Sequence, residues 1–166
     1  MIEQAELVLA GANPIMKSGV WCRAKDGDSR ARQLFQRHYS RRKLADGRES
    51  KLFVGPGEKF VLISGSNDAM FVWRKFKSDD DQTGINCAVF RNESAALSSA
   101  LVIEADRIAW AHWPNEPRHY TYVNAKRIRS GNPGYCFLKA GWKRVGLTKS
   151  GLHILAIEGR SAQPHD

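Results

Sequence analysis

Apolar residues recur along the chain with two periods, and the switches between them divide it into elements. "SGVWCRA" reads as a short strand that enters the turn "KDGD". Beyond it, "SRARQLFQRHYS" places Ala31, Leu34, Phe35 and then His38 or Tyr39 at helical spacing, with Asp28 or Ser29 positioned to cap the helix. The opposite face of this amphipathic helix carries Arg30, Arg37 and Arg41, and the acid-free stretch runs on through Arg42 and Lys43. The segment "KLFVGPGEKFVLISGSNDAMFVWRKF" predicts a loop at "VGPGEK" and then two strands joined by "SGSND", a cluster with the composition of a hairpin turn. A polar acidic loop, "FKSDDDQTG", leads to the strand "INCAVFRNE", whose buried residues are expected to be Ile85, Cys87, Val89 and Phe90.

Leu97, Leu101, Glu104, Ile108 and Trp113 mark a long helix that begins just after Ser94 to Ser98 and breaks at Pro114. A strand follows over His119 to Val123. "SGNPGYCFLKAGW" has the signs of a short helix, opened by Asn132 and Pro133 and closed by Gly141. Two last strands, "WKRVGLT" and "LHILAIE", face each other across "KSG". Neither an internal repeat nor a low-complexity segment interrupts this order. It predicts an α/β or α+β fold with a mixed sheet and flanking helices, a single domain over residues 1–158, and a frayed tail over 159–166.

Composition narrows the class. The chain has 166 residues, 42% of them hydrophobic and 10% aromatic, the proportions of one globular domain. No stretch approaches the roughly 18 consecutive apolar residues of a membrane span, so no membrane partner is expected. The start "MIEQAELVLAGANP" lacks the basic and apolar regions of a secretory signal. Cys22, Cys87 and Cys136 are odd in number and form no CxxC pair, which suits reduced thiols and a cytoplasmic location. They also offer no ligand spacing with His38, so no metal is expected. Lys and Arg number 26 against 17 Asp and Glu, a net charge of +9 that favours nucleic acid or a phosphorylated cofactor as partner.

The junction "FRNESAALSSAL" is the most informative local feature. A strand runs into small residues that open a helix, and the free N–H groups of a helix N-terminus form a site for pyrophosphate. The spacing Arg91-x-x-Ser94-x-Ala96 there resembles the acyl-CoA loop of the GNAT acyltransferases. The later "NPGYCFLKAGW" is similar to a second signature of that superfamily, matched at Asn132, Phe137, Lys139, Gly141 and Trp142. The resemblance covers roughly residues 50 to 158. It implies a GNAT-like, mostly antiparallel sheet and an acyl-CoA or other activated acyl donor bound by Arg91, Ser94, Ala96 and Asn132; Asn92 and Ser98, from the loop and the helix start, are placed to orient that donor. Phe137 stands where many of these enzymes place a proton-donating Tyr.

Within that superfamily, His38, Tyr39 and Ser40, the hairpin after them, "RNE…LSS", "TYVN" and "NPGYCFLKAGW" resemble the phage Mom family, which modifies adenine in DNA and protects it from restriction. This resemblance implies transfer of a small glycine-derived or carbamoylmethyl group to adenine N6, with His38, Tyr39 and Ser40 at the reacting centre. A phage-encoded enzyme of this kind would work in the host cytoplasm.

The residue chemistry is compatible. The N6 lone pair is delocalised into the ring, so transfer needs close approach and a group to take a proton, a role open to His38 with its ordinary pKa of about 6.5. Tyr39 can stack on an extruded base, while Arg30, Arg37, Arg41, Arg42 and Lys43 are placed to hold phosphates, and Tyr122 and Tyr135 to contact substrate. Two other functions fit the same signatures: acetyl transfer to a protein or small-molecule amine, and DNA binding by an inactive GNAT-like fold.

Overall fold

A computed structural model of the chain describes residues 20–41, 43–48, 50–128 and 131–159. Seven strands form one sheet: β1 (Trp21–Ala24), β2 (Glu58–Ser64), β3 (Ala69–Lys75), β4 (Ile85–Asn92), β5 (Arg118–Val123), β6 (Lys143–Leu147) and β7 (His153–Glu158). Three α-helices accompany them among the described residues: α1 (Ser29–Gln36), α2 (Ser98–His112) and α3 (Tyr135–Lys139). The strand order is β1-β2-β3-β4-β5-β7-β6. Every pairing is antiparallel except β4 with β5, which run parallel because α2 carries the chain across between them. The fold is therefore α+β with a mostly antiparallel sheet.

Each face of the sheet has its own apolar cluster. Ala31 and Leu34 of α1 pack with Val61, Ile63, Met70, Val72 and Val89 on one side. Helix α2 and Phe137 of α3 cover the other, over Phe60, Leu62, Phe71, Trp73, Ile85 and Cys87. Asp28 caps α1, its carboxylate accepting the backbone N–H groups of Arg30 and Ala31.

Indole groups lock α2 to the sheet. Trp21 Nε1 donates to Leu101 O at 3.0 Å and Trp73 Nε1 to Ala105 O at 3.1 Å. Trp142 Nε1 donates to Asp106 Oδ2 at 2.8 Å, and Asp106 Oδ1 lies 2.8 Å from His119 Nδ1 of β5. Asp106 and His119 are both buried, and burial raises the carboxyl pKa while lowering that of the imidazole. The Trp110 ring stacks on His119 with centroids 3.5 Å apart. One helix, one strand and the segment after α3 thus meet at a single buried polar group.

The central joint of the sheet is short. β4 and β5 pair only at Ile85 with His119, Asn86 with Tyr120 and Cys87 with Thr121. At that level the β3/β4 register shifts, with Val72 opposite Val89 but Trp73 opposite Cys87, so Ala88 is an extra residue in β4. Beyond the bulge β4 and β5 no longer pair, and the cleft opens there. At the other end Gly159 continues beyond β7, buried and donating its N–H to Pro117 O at 3.0 Å; the remainder of the expected tail lies outside the described residues.

Candidate functional site

The end of α1 delivers His38, Tyr39 and Ser40 to the mouth of this cleft. The helix stops at Gln36, and the next turn bends the chain so that the His38 and Tyr39 rings stack, 4.5 Å between centroids and 28° between planes. His38 Nδ1 accepts the Ser40 backbone N–H at 3.1 Å and lies 2.7 Å from Ser40 Oγ. The ring proton therefore sits on Nε2, on the side of the Phe90 carbonyl. His38 is buried, and burial, with the nearby Arg91 charge, lowers its pKa to about 4. It is neutral at pH 7 and a weaker base than an ordinary histidine.

Tyr39 is fixed at both ends. Arg127 Nη1 donates to its backbone oxygen at 2.9 Å, and its phenol is close to the Asn124 backbone. Burial raises the phenol pKa, so Tyr39 keeps its proton. Ser40 is exposed and carries its hydroxyl between the His38 ring and the open cleft.

The cleft consists of two adjoining cavities of about 510 and 250 Å³. His38, Tyr39, Cys87, Ala88 and Tyr122 line both. The smaller one continues between Val89 and Phe90 of β4 and Asn132, Tyr135 and Phe137 on the far wall. The larger contains Asn86, Asn124, Arg127 and Arg74. Tyr122 donates its hydroxyl to Asp80 at 2.6 Å, which joins the acidic loop to the cleft; burial, with the Asp80 charge, raises its pKa well above the usual range. Tyr135 is 52% exposed at the rim, whereas Phe137 is buried against Phe90 and Trp142 and has no proton to offer. Cys136 beside it is partly buried with its thiol pKa raised.

The loop before α2 is tied together by Asn92. Its Nδ2 donates to Ala96 O at 2.8 Å and to Ser98 Oγ at 2.9 Å, and its Oδ1 accepts the Ser94 N–H and hydroxyl. Asn92, Ser94 and Ser98 thus bond to one another and shape the loop. Leu97 caps α2 without a side-chain hydrogen bond and no acidic residue occupies the first turn, so the N-terminus of the helix stays electropositive. Asn132 sits apart from this loop, accepting a hydrogen bond from Arg144 at 3.0 Å.

The basic residues divide. Arg37 and Arg91 both clamp Glu93, which lowers the Glu93 pKa to about 2. Arg91 lies on β4 and also donates to Arg37 O at 2.7 Å. Arg30 pairs with Asp28 at 3.0 Å. Arg41 donates to Gln36 O at 2.9 Å and Lys43 is exposed; Arg42 lies outside the described residues. Arg37, Arg41, Arg91 and Arg127 still surround a shallow depression over His38 and Tyr39. Sequence reasoning did not pick out Ala88, Asn86, Asn124, Arg74 or Arg127. Of these only Asn124 lay in a noted motif, "TYVN"; Asn86, Ala88 and Arg74 depend on strand register, and Arg127 on the helical turn Ala125–Arg127 that follows β5. Among the described residues no cluster of metal-binding side chains occurs.

Comparison with known protein families gives no matching family model, and comparison with curated proteins gives no match.

Proposed function

We propose that the chain is a GNAT-like transferase that moves a small acyl-type group from an activated donor to the N6 amine of adenine in DNA. The observation that carries the reading is the bulged, splayed β4/β5 joint with His38, Tyr39 and Ser40 at its mouth. Backbone groups of β4 beyond Cys87 have no partner on β5, so an amide-containing donor arm can lie between the strands and bond as an added strand would. The electropositive start of α2 suits the phosphates of such a donor, and the Asn92-braced loop keeps that approach in shape. A basic rim on the α1 side suits the phosphates of DNA.

Ser40 and His38 then have a shared role. Attack by N6 on an activated carbonyl forms the new C–N bond, and as the adduct collapses the bond to the donor's leaving group breaks and that group departs as an anion. The nitrogen is left cationic and strongly acidic, so even a base of pKa about 4 can accept its proton. In this reading Ser40 Oγ takes that proton and passes its own to His38 Nδ1, 2.7 Å away. Tyr39, held protonated and stacked on His38, offers a hydroxyl for hydrogen bonding.

Nucleoside mass spectrometry on DNA from cells expressing the protein tests the proposal. A new modified deoxyadenosine is expected, and it should disappear with Ser40→Ala or His38→Ala; unchanged nucleosides in the wild-type culture overturn the reading. One observation favours a second reading, an inactive DNA-binding fold: Phe137, on the wall of the smaller chamber, has no proton to donate to a leaving group. Salt-sensitive DNA binding with no product would select it.

A further inference from the structure

A third cavity, of about 400 Å³, lies on the α1 side of the sheet, next to the cleft described above. Its size is within the roughly 300–1,000 Å³ of small-molecule sites. The wall is apolar and aromatic: Phe35 and Phe53 stack with centroids 5.3 Å apart and planes 24° from parallel, beside Leu52, Val72 and Val89. The rim is cationic, with Arg32, Arg41, Lys43 and Arg74 and no acidic residue among the described lining. Arg32 Nε is buried with no hydrogen-bond partner, an arrangement that costs stability unless an acceptor arrives. An apolar slot with an aromatic wall and a rim of positive charge is complementary to one ligand class, a flat heteroaromatic ring attached to phosphate.

The position of the cavity makes the match more specific. Ser40, Arg41, Arg74 and Ala88 line both this cavity and the larger chamber of the cleft. Ala88 also lines the smaller chamber, so the bulge residue is a lip common to all three spaces. We propose that this cavity receives the adenine extruded from DNA: the ring lies along the Phe35/Phe53 wall, its amino edge reaches the Ala88 lip, and Arg32 and Lys43 hold the flanking phosphates. The proposal rests on the DNA-modification reading and adds the location of the acceptor. It separates the acceptor from Tyr39, which on sequence alone was the expected stacking partner. Extrusion brings the amine to the cleft because a base inside a duplex cannot reach it.

The test uses the full chain and a pool of duplex oligonucleotides of randomised sequence in which azidoadenine replaces adenine. After irradiation, mass spectrometry of the digested protein should find the adduct on Phe35, Leu52 or Phe53. Arg32→Gln should weaken binding across the whole pool and reduce the slope of log affinity against log salt by about 1. Arg107→Gln, on the opposite side of the sheet, should change neither. A pool that binds but crosslinks only to residues of the β4/β5 cleft overturns the cavity assignment and leaves the DNA reading standing. A pool that is not retained at low salt overturns both.

Discussion

The His38 ring lies flat against Tyr39, and the same ring accepts a hydrogen bond from the Ser40 backbone, so three consecutive residues share one rigid arrangement. Burial holds the imidazole at a pKa of about 4, against about 6.5 for a free histidine. As pH falls between these values the unfolded chain binds a proton that the folded chain does not. His38 therefore subtracts stability on acidification through that window. Urea midpoints measured from pH 7 to pH 4 should fall, and His38→Gln should flatten that dependence. An NMR titration of the His38 ring with a midpoint near 6.5 would refute the burial argument.

Asp106 supports Trp142 and His119 at once. Asp106→Ala leaves an indole N–H and an imidazole nitrogen unpaired in the interior, and roughly 3–5 kcal/mol of stability should be lost, the usual cost of removing one member of a buried pair. Trp142→Phe keeps most of the packing and removes one donor, with an expected loss of about 1–3 kcal/mol. Chemical denaturation measures both. A loss below about 1 kcal/mol for Asp106→Ala would show that the pair is not a structural anchor.

Glu93 pairs with both Arg37 and Arg91 beside the cleft and offsets one of their two positive charges. Glu93→Gln removes one negative charge and frees both guanidinium groups. Stability should change by less than about 1 kcal/mol, because the pair is at the surface. Affinity for duplex DNA should rise, with a steeper salt dependence. Unchanged affinity and salt dependence would place that surface away from the nucleic acid.

Gly134 precedes α3 with φ +77°, and a Cβ there would collide with Leu155 Cδ1. Gly134→Ala combines backbone strain with a collision, so a stability loss of roughly 1–3 kcal/mol is expected. Because α3 carries Tyr135 at the wall of the smaller chamber, the same variant should bind donor less well. Isothermal titration with acyl-CoA compounds tests this; unchanged binding would separate α3 from the donor site.

The order of elements was readable because period-2 and period-3.6 patterns alternate cleanly, and because Asp28 and Gly141 are terminators with local causes; the short helix expected to open at Asn132 and Pro133 instead starts at Tyr135, after a left-handed Gly134. The site was only half legible. His38, Tyr39 and Ser40 are adjacent in sequence, so a motif could reveal them. The pairing of Arg37 with Glu93 spans 56 positions, and nothing local predicts it. Position 88 is likewise silent in sequence: an alanine in a strand becomes a bulge only through its register with β3. The expected roles of Asn92 and Ser98 toward a donor arose from the loop's small polar residues, whose side chains bond to each other in the fold.

The narrow joint between β4 and β5 also has a consequence in time. Contacts within the β2/β3 hairpin close a short turn, whereas Asn86 and Tyr120 come together across 34 positions. Closing that larger loop costs more chain entropy and is rewarded by only three pairs of residues. Pulsed hydrogen exchange during refolding should protect the β2/β3 amides first and the β5 amides last. The cleft is then the final part of the molecule to form, and a newly made chain would build its β2/β3 hairpin before the sheet closes around the cleft.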